Sequence, residues 1–224
     1  MKIIFLGYRD WATQAFEELI AHPKITNYEI ISKIDDLNQI QLDKWDLLVT
    51  LGWSEELGER ITKEIFAIGL HCAELDRYSY GSPLQLQIID GITHTKHRIF
   101  PFIWDKNSAR AHTHSREYSH EVDLSLEGSI SDIFNELTRT SILLLNQFFD
   151  DYPNISWQKW PKEAVIRKKR VPEDSKLSKE SFLNFELEDL YNFIRCLGDP
   201  YPNAYLEDKH GNKLFFKNVR LEKK

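Results

Sequence analysis

Residues 69–83 read GLHCAELDRYSYGSP: a histidine and a cysteine follow directly on an apolar run, and the segment closes in a Gly-Ser-Pro turn. Imidazole, with an ordinary pKa of about 6.5, takes or gives a proton near neutrality. His71 therefore either packs with a backbone partner or does acid–base work, and a polar strand-end loop that turns tightly at Gly81 suits the second role. Cys72 invites a nucleophile with His71 as its base. Adjacent residues of an extended segment point to opposite faces, however, which keeps thiol and imidazole apart. Histidines at 94, 97, 112, 114 and 120 raise the question of a metal, with H-T-H at 112–114 on one strand face. No cysteine or carboxylate spacing completes a zinc set, so no metal is expected. KHR at 96–98, with Arg110 and Arg116, is either a solvated basic face or a cradle of guanidinium forks for a diphosphate.

The elements that must carry these residues follow from periodicity. KIIFLG at 2–7 is a β-branched apolar run, and WATQAFEELIAH then places Ala12, Ala15, Phe16, Leu19 and Ile20 at helical spacing. NYEIISKI (27–34) and WDLLVTLGW (45–53) read as further strands, ELGERITKEIF as a helix, and AIGLH as a short strand ending at His71. Strands alternating with helices predict a parallel sheet covered on both faces, and ligands of such sheets sit beyond the carboxyl ends of the strands. PLQLQIIDG reads as a helix stopping at Gly91, and HRIFPFIW (97–104) as a strand with Pro101 at an edge or bulge. HEVDLSLEG (120–128) is a strand or extended loop. SISDIFNELTRTSILLLNQFFDDY is the clearest helix, capped by Ser129 or Ser131 and ended by Pro153. Residues 157–180 mix charge and proline like an exposed linker, and FELEDLYNFIRCLG with the remaining tail makes a small α+β appendage. The expected division is 1–165 for the main domain, 166–180 for the linker and 181–224 for the appendage.

Composition narrows the function classes. A chain of 224 residues, 42% hydrophobic and 12% aromatic, buries a sizeable core. A net charge of −6 supplies no global field for nucleic acid. Two distant cysteines and a start without a long apolar run point to a cytoplasmic protein, and no run approaches the roughly 20 apolar residues of a membrane span. LGYRDWA has one glycine where a dinucleotide fingerprint needs three, so NAD is not expected.

The order of these features resembles the formyltransferases that use 10-formyltetrahydrofolate, a family that includes methionyl-tRNA formyltransferase and the sugar N-formyltransferases. In that family a strand ending in Asn-x-His precedes a loop and a small-residue-Pro helix start. GLHCAELDRYSYGSPLQLQIIDG aligns with it without a gap, so His71 takes the catalytic histidine's place and Ser82-Pro83 opens the helix. KIIFLGYRD, TLGWSEELG, VPEDS and IRCLGDPYPNAY fit four further segments in order. Two positions depart. The family asparagine is Gly69, and the aspartate loop is replaced, leaving Asp105 or, counted without a gap, Asn107 in its place. Asp105 is preferred because a carboxylate can orient an imidazole and hold its protonated form.

The resemblance implies a Rossmann-like α/β sheet and formyl transfer from 10-formyltetrahydrofolate, as co-substrate, to an amine. His71 would be the base for the amine proton or the imidazolium that stabilises the oxyanion, oriented by Asp105. The pterin would lie against Leu51, Gly52, Trp53 and Ser54 and against Phe102, Ile103 and Trp104, in which Trp53 and Trp104 are either slot walls or ordinary core aromatics. A nucleotide-linked amino sugar of the 4-amino-4,6-dideoxyhexose type would enter past Tyr80, Arg98 and Arg110. A UDP-linked sugar on a pseudaminic-acid-like route is the first choice, with the formamide destined for surface glycans. The acidic chain and its tail of about fifty residues favour this acceptor over tRNA. Sugar enzymes of this type are commonly dimers, which makes a homodimer the implied assembly. Other readings stay open: another folate-dependent formyltransferase, a formyltetrahydrofolate hydrolase, or a non-catalytic folate or nucleotide-sugar binder.

Overall fold

The computed structural model describes residues 1–78, 81–105, 110–112, 117–159 and 167–222, with the backbone alone at 75, 105 and 110–112. The first half of the chain runs β1 (Lys2–Leu6), α1 (Asp10–Leu19), β2 (Asn27–Ile31), α2 (Ile34–Asn38), β3 (Leu47–Thr50), α3 (Gly58–Glu64), β4 (Ala67–His71), α4 (Leu75–Tyr78), α5 (Pro83–Ile89), β5 (His94–Pro101) and β6 (Ile103–Asp105). There follow β7 (Arg110–His112), β8 (Glu117–Ser125), α6 (Ile130–Asp151), β9 (Gln158–Lys159), α7 (Lys179–Asn184), α8 (Leu187–Arg195), β10 (Ala204–Glu207) and β11 (Lys213–Phe216).

Two compact units result, each from three stretches: Met1–Cys72, Lys96–Asp123 and Leu137–Pro161 in one, and Ala73–Thr95, Leu124–Glu136 and Lys162–Lys224 in the other. A division in chain order at 165–180 does not describe them, because 73–95 and 124–136 group with the C-terminal residues. Composition marks exposed segments; it carries no record of pairing between distant ones.

The first unit holds a mixed sheet of order β2-β1-β3-β4-β5-β8-β9. β2, β1, β3 and β4 are mutually parallel, and β5 runs antiparallel to β4. The expected strand 97–104 is two elements, since β5 ends at Pro101 and β6 pairs antiparallel with β7 in a separate hairpin. Strand alternation sorts the core into two layers. Ile3, Phe5, Leu47, Val49, Ile68 and Ile99 pack with Ala12, Ala15 and Phe16 of α1 and Leu144, Leu145 and Phe148 of α6. Ile4, Leu6, Leu48, Ala67, Phe100 and Phe102 pack on the opposite face with Leu37 of α2 and Ile61 of α3.

His97 faces the first layer, fully enclosed, with Nδ1 2.9 Å from Thr140 Oγ1. Burial alone pulls its pKa down to about 3. The unfolded chain, with an imidazole near pKa 6.5, therefore binds the proton that the folded chain refuses. This residue costs no stability above about pH 6.5 and progressively more as pH falls towards 3. Between pH 6.5 and 5 the expected loss is about 2 kcal/mol. Urea unfolding of wild type and His97→Gln across that range should show the variant's pH slope reduced by one proton.

In the second unit, Ser129 caps α6. Its Oγ accepts from the Asp132 amide at 3.2 Å while Asp132 Oδ2 accepts from the Ser129 amide at 2.8 Å, and the hydroxyl bond to Oδ2 leads the effects that lower the Asp132 pKa. Buried Arg195 clamps α8 to the chain before α6, donating to the carbonyls of Leu126 and Gly128 at 2.6 and 3.0 Å. The stretch read as a linker contains ordered structure. Arg167 pairs with Asp90 at 2.6 Å, the Arg170 amide donates to Ser82 Oγ, and α7 is capped by Ser178. β10 and β11 form the C-terminal hairpin. Among the described residues no helix is long and apolar enough to cross a membrane, and no group of three or more His, Cys, Asp or Glu is placed to hold a metal ion.

Candidate active site

The strand order sets β2 and β3 on either side of β1, so the loops leaving β1 and β3 part at their carboxyl ends, the place where open parallel sheets seat ligands, with β4 next in line. Residues 7–9, 51–54 and 71 all lie at this edge of the first unit. The β3 loop is brought against α1 by Gly52, whose φ is +62° and whose missing Cβ would lie 2.9 Å from Arg9 Cγ and 3.1 Å from Ala12 Cβ. Only glycine lets the backbone come so close there.

Trp53 then meets Tyr8 edge to face at a centroid distance of 5.5 Å. The Tyr8 hydroxyl lies 2.7 Å from Ser54 Oγ, and the Arg9 guanidinium stands 5.0 Å from the Tyr8 ring centre. Trp53 Nε1 is buried and has no acceptor among the described residues. An indole N–H so placed is a donor awaiting a ligand atom or water.

His71 is half-buried at the end of β4, with Nε2 enclosed and its ring edge-to-face on Phe100 at 6.4 Å. It ends the strand on which its sequence position places it. Across β5 its register partner is Arg98. That arginine is 8% exposed, its Nε donates to Glu121 Oε2 at 2.7 Å, and its guanidinium stands 5.2 Å from the Tyr118 ring centre. It is a committed ion-pair member rather than an open fork for a diphosphate. Cys72 is no nucleophile at neutral pH, since desolvation raises its thiol to about 12.

Of the residues expected along the pterin, Leu51 and Phe102 are core side chains, Ile103 is exposed, and Trp53 and Trp104 are partly buried against the second core layer. Asp105 lies on β6 and Arg110 on β7, directly paired in register, but their side chains, with Tyr80 and Asn107, lie outside the described residues. Sequence reasoning missed the Tyr8–Ser54 contact and the Glu121 partner of Arg98. Pairs 46 and 23 residues apart leave no local pattern to read.

No family model and no curated protein sequence matches the chain. Solved structures do. Methionyl-tRNA formyltransferase from Clostridium thermocellum superposes with a TM-score of 0.82 at 24% identity, over 99% of this chain and 94% of that one. The fold is that of the formyltransferases. A sugar N-formyltransferase from Shewanella sp. gives a TM-score of 0.73 at 13% identity over 100% and 99% of the two chains. HypX from Aquifex aeolicus, in complex with tetrahydrofolic acid, gives 0.75 at 15% identity over 97% of this chain and 37% of its own. Within this formyltransferase fold, Gly69 stands where the sequence resemblance expects an asparagine, and packing gives a reason. A Cβ on Gly69 would lie 2.6 Å from Phe100 Cζ and 2.9 Å from Phe102 Cε2, so the two phenyl rings occupy the room a side chain would need.

Proposed function

We propose that the chain transfers a formyl group from 10-formyltetrahydrofolate to the amine of a nucleotide-linked amino sugar. The observation that supports the reading is His71, half-buried at the carboxyl end of β4 near the topological switch point of a formyltransferase fold. The neutral amine nitrogen attacks the formyl carbon, and the carbonyl π pair moves to oxygen as the C–N bond forms. His71 takes the proton that the nitrogen sheds. Collapse re-forms the carbonyl and breaks the bond to N10, which receives the proton from the imidazolium. The products are a formamide and tetrahydrofolate. Asp105 is the residue proposed to orient the imidazole, and Trp53 Nε1 offers a hydrogen bond to an acceptor on the pterin edge. Arg110 and Tyr80, rather than the internally paired Arg98, are left for the diphosphate.

A small acceptor is favoured over tRNA by the net charge of −6 and by the fate of the basic run at 167–170. Arg167 is spent on Asp90, and Arg170 donates to the Asp174 carbonyl, so neither guanidinium is displayed for phosphates. UDP is the first choice of carrier nucleotide, and a cytoplasmic homodimer the proposed form. The test is a panel of UDP-, dTDP- and GDP-linked 4-amino-4,6-dideoxyhexoses with 10-formyltetrahydrofolate, followed by mass spectrometry. The expected result is gain of one formyl group on one member. Formate release without acceptor, or formylation of methionyl-tRNA alone, would replace the reading.

A further inference from the structure

The second unit contains a cavity of about 360 Å³ for which formyl transfer has no use. Its walls come from the start of α6, the last turn of α8 and the chain on either side of the C-terminal hairpin. Arg195 stands against it, only 8% exposed, with its guanidinium carbon 5.5 Å from the centre of the Tyr191 ring. Nε donates to Asn192 Oδ1 at 2.8 Å and Nη1 to the two backbone carbonyls that anchor α8, all of them neutral acceptors. Nη2 makes no hydrogen bond to a described residue, and no described carboxylate reaches ion-pair distance of the group. Desolvation accordingly pulls the Arg195 pKa below the ordinary arginine value. A cation held in this way is costly, and an anion beside it offsets the cost.

Further donors line the same space. In the first turn of α6 the Asp132 amide is taken by Ser129 Oγ, but the Ile130 and Ser131 amides have no acceptor among the described residues. A 22-residue helix sets the positive end of its dipole there. At the rim, Lys217 Nζ lies 3.8 Å from Asp199 Oδ2 with both side chains largely exposed, a pairing loose enough for the ammonium group to turn inward. Asp199 Oδ1 accepts from the Asn203 amide at 3.0 Å. With Nε and Nη1 engaged, Arg195 has no bidentate fork for a planar carboxylate, whereas donors from three separate elements suit the tetrahedral oxygens of phosphate. The volume lies at the small end of the range for ligand sites, about 300–1,000 Å³, yet exceeds what bare phosphate fills. We propose that this cavity binds a sugar phosphate, its phosphate on Arg195 Nη2, Lys217 Nζ and the first-turn amides of α6, with a sugar hydroxyl donating to Asp199. Such binding is independent of formyl transfer.

Isothermal titration calorimetry on the full chain at low salt tests the site with ribose 5-phosphate, inorganic phosphate and ribose. The ester is expected to bind more tightly than inorganic phosphate, and ribose to give no heat of binding. Ser131→Asp places a carboxylate among the donors, at a helix position where the dipole favours it. It should weaken the ester about tenfold or more, with the unfolding midpoint held or raised. Lys217→Gln removes an exposed ammonium group and should weaken the ester about two- to fivefold without touching the core. Thermal unfolding of both variants separates a loss of fold from a loss of binding. An ester that does not bind, or binds no better than ribose, would overturn the proposal. An ester bound equally by wild type and both variants would do the same, since its phosphate then sits elsewhere. Inorganic phosphate matching the ester would leave an anion site with no place for the sugar, and the sugar-phosphate assignment would fall.

Discussion

His71→Ala is expected to lower kcat for formyl transfer by about 10²–10⁴-fold, the range over which a positioned proton acceptor contributes to acyl transfer. The fall should spare substrate affinity, because the imidazole acts on a proton released only as the C–N bond forms. Free imidazole added to the alanine variant should recover part of the rate, since the truncation leaves room for a small base where the ring stood. A residue that only held the strand end in place would show no such rescue. Steady-state kinetics with and without imidazole, on protein whose unfolding midpoint is checked, measures both. Unchanged kcat in the variant would leave the site without its proton acceptor.

The largest stability effect is expected at Gly81, just before the α5 start. Its φ is +86°, in the left-handed region that costs other residues about 1–2 kcal/mol. A Cβ there would also meet the carbonyl oxygens of Arg167 and Lys168, both at 2.7 Å. Those are backbone atoms, fixed by the Arg167–Asp90 ion pair and by the Arg170 amide on Ser82, so they cannot swing aside. Overpacking of that kind adds about 1–3 kcal/mol. Gly81→Ala should thus lose about 2–5 kcal/mol in urea unfolding. Gly211→Ala is the matched control: its φ is +85° and nothing lies within 4 Å, so only the conformational part should appear. Equal losses at the two positions would show that the 167–168 carbonyls yield.

Much of this architecture is legible from residue order because its signals are local. The short apolar runs of KIIFLG and LLVT, set against the helical spacing of Ala12, Phe16 and Leu19, fix a layered α/β unit, and AIGLH places His71 at a strand end. What is not legible lies in pairings across distance. Arg98 reads as an open cation until Glu121 is brought beside it from β8. VPEDSKLSKE reads as a linker because its charges and proline look solvated, whereas the chain just before it is fastened to Asp90 and Ser82 and its own end starts α7. Gly69 is the plainest case, since only the strand register and the packing of Phe100 and Phe102 show why no side chain stands there.

The interleaving of the two units carries a practical lesson for anyone who would trim this polypeptide. A cut near residue 165, the obvious place on paper, would release a fragment still bearing 73–95 and 124–136 after removing the third stretch with which they form a unit. Leu126, Gly128 and Asp90 would lose the guanidinium groups that engage them, Arg195 for the first two and Arg167 for the last. The chain is wound so that its late residues finish what its early ones begin, and a shortened version inherits the beginnings alone.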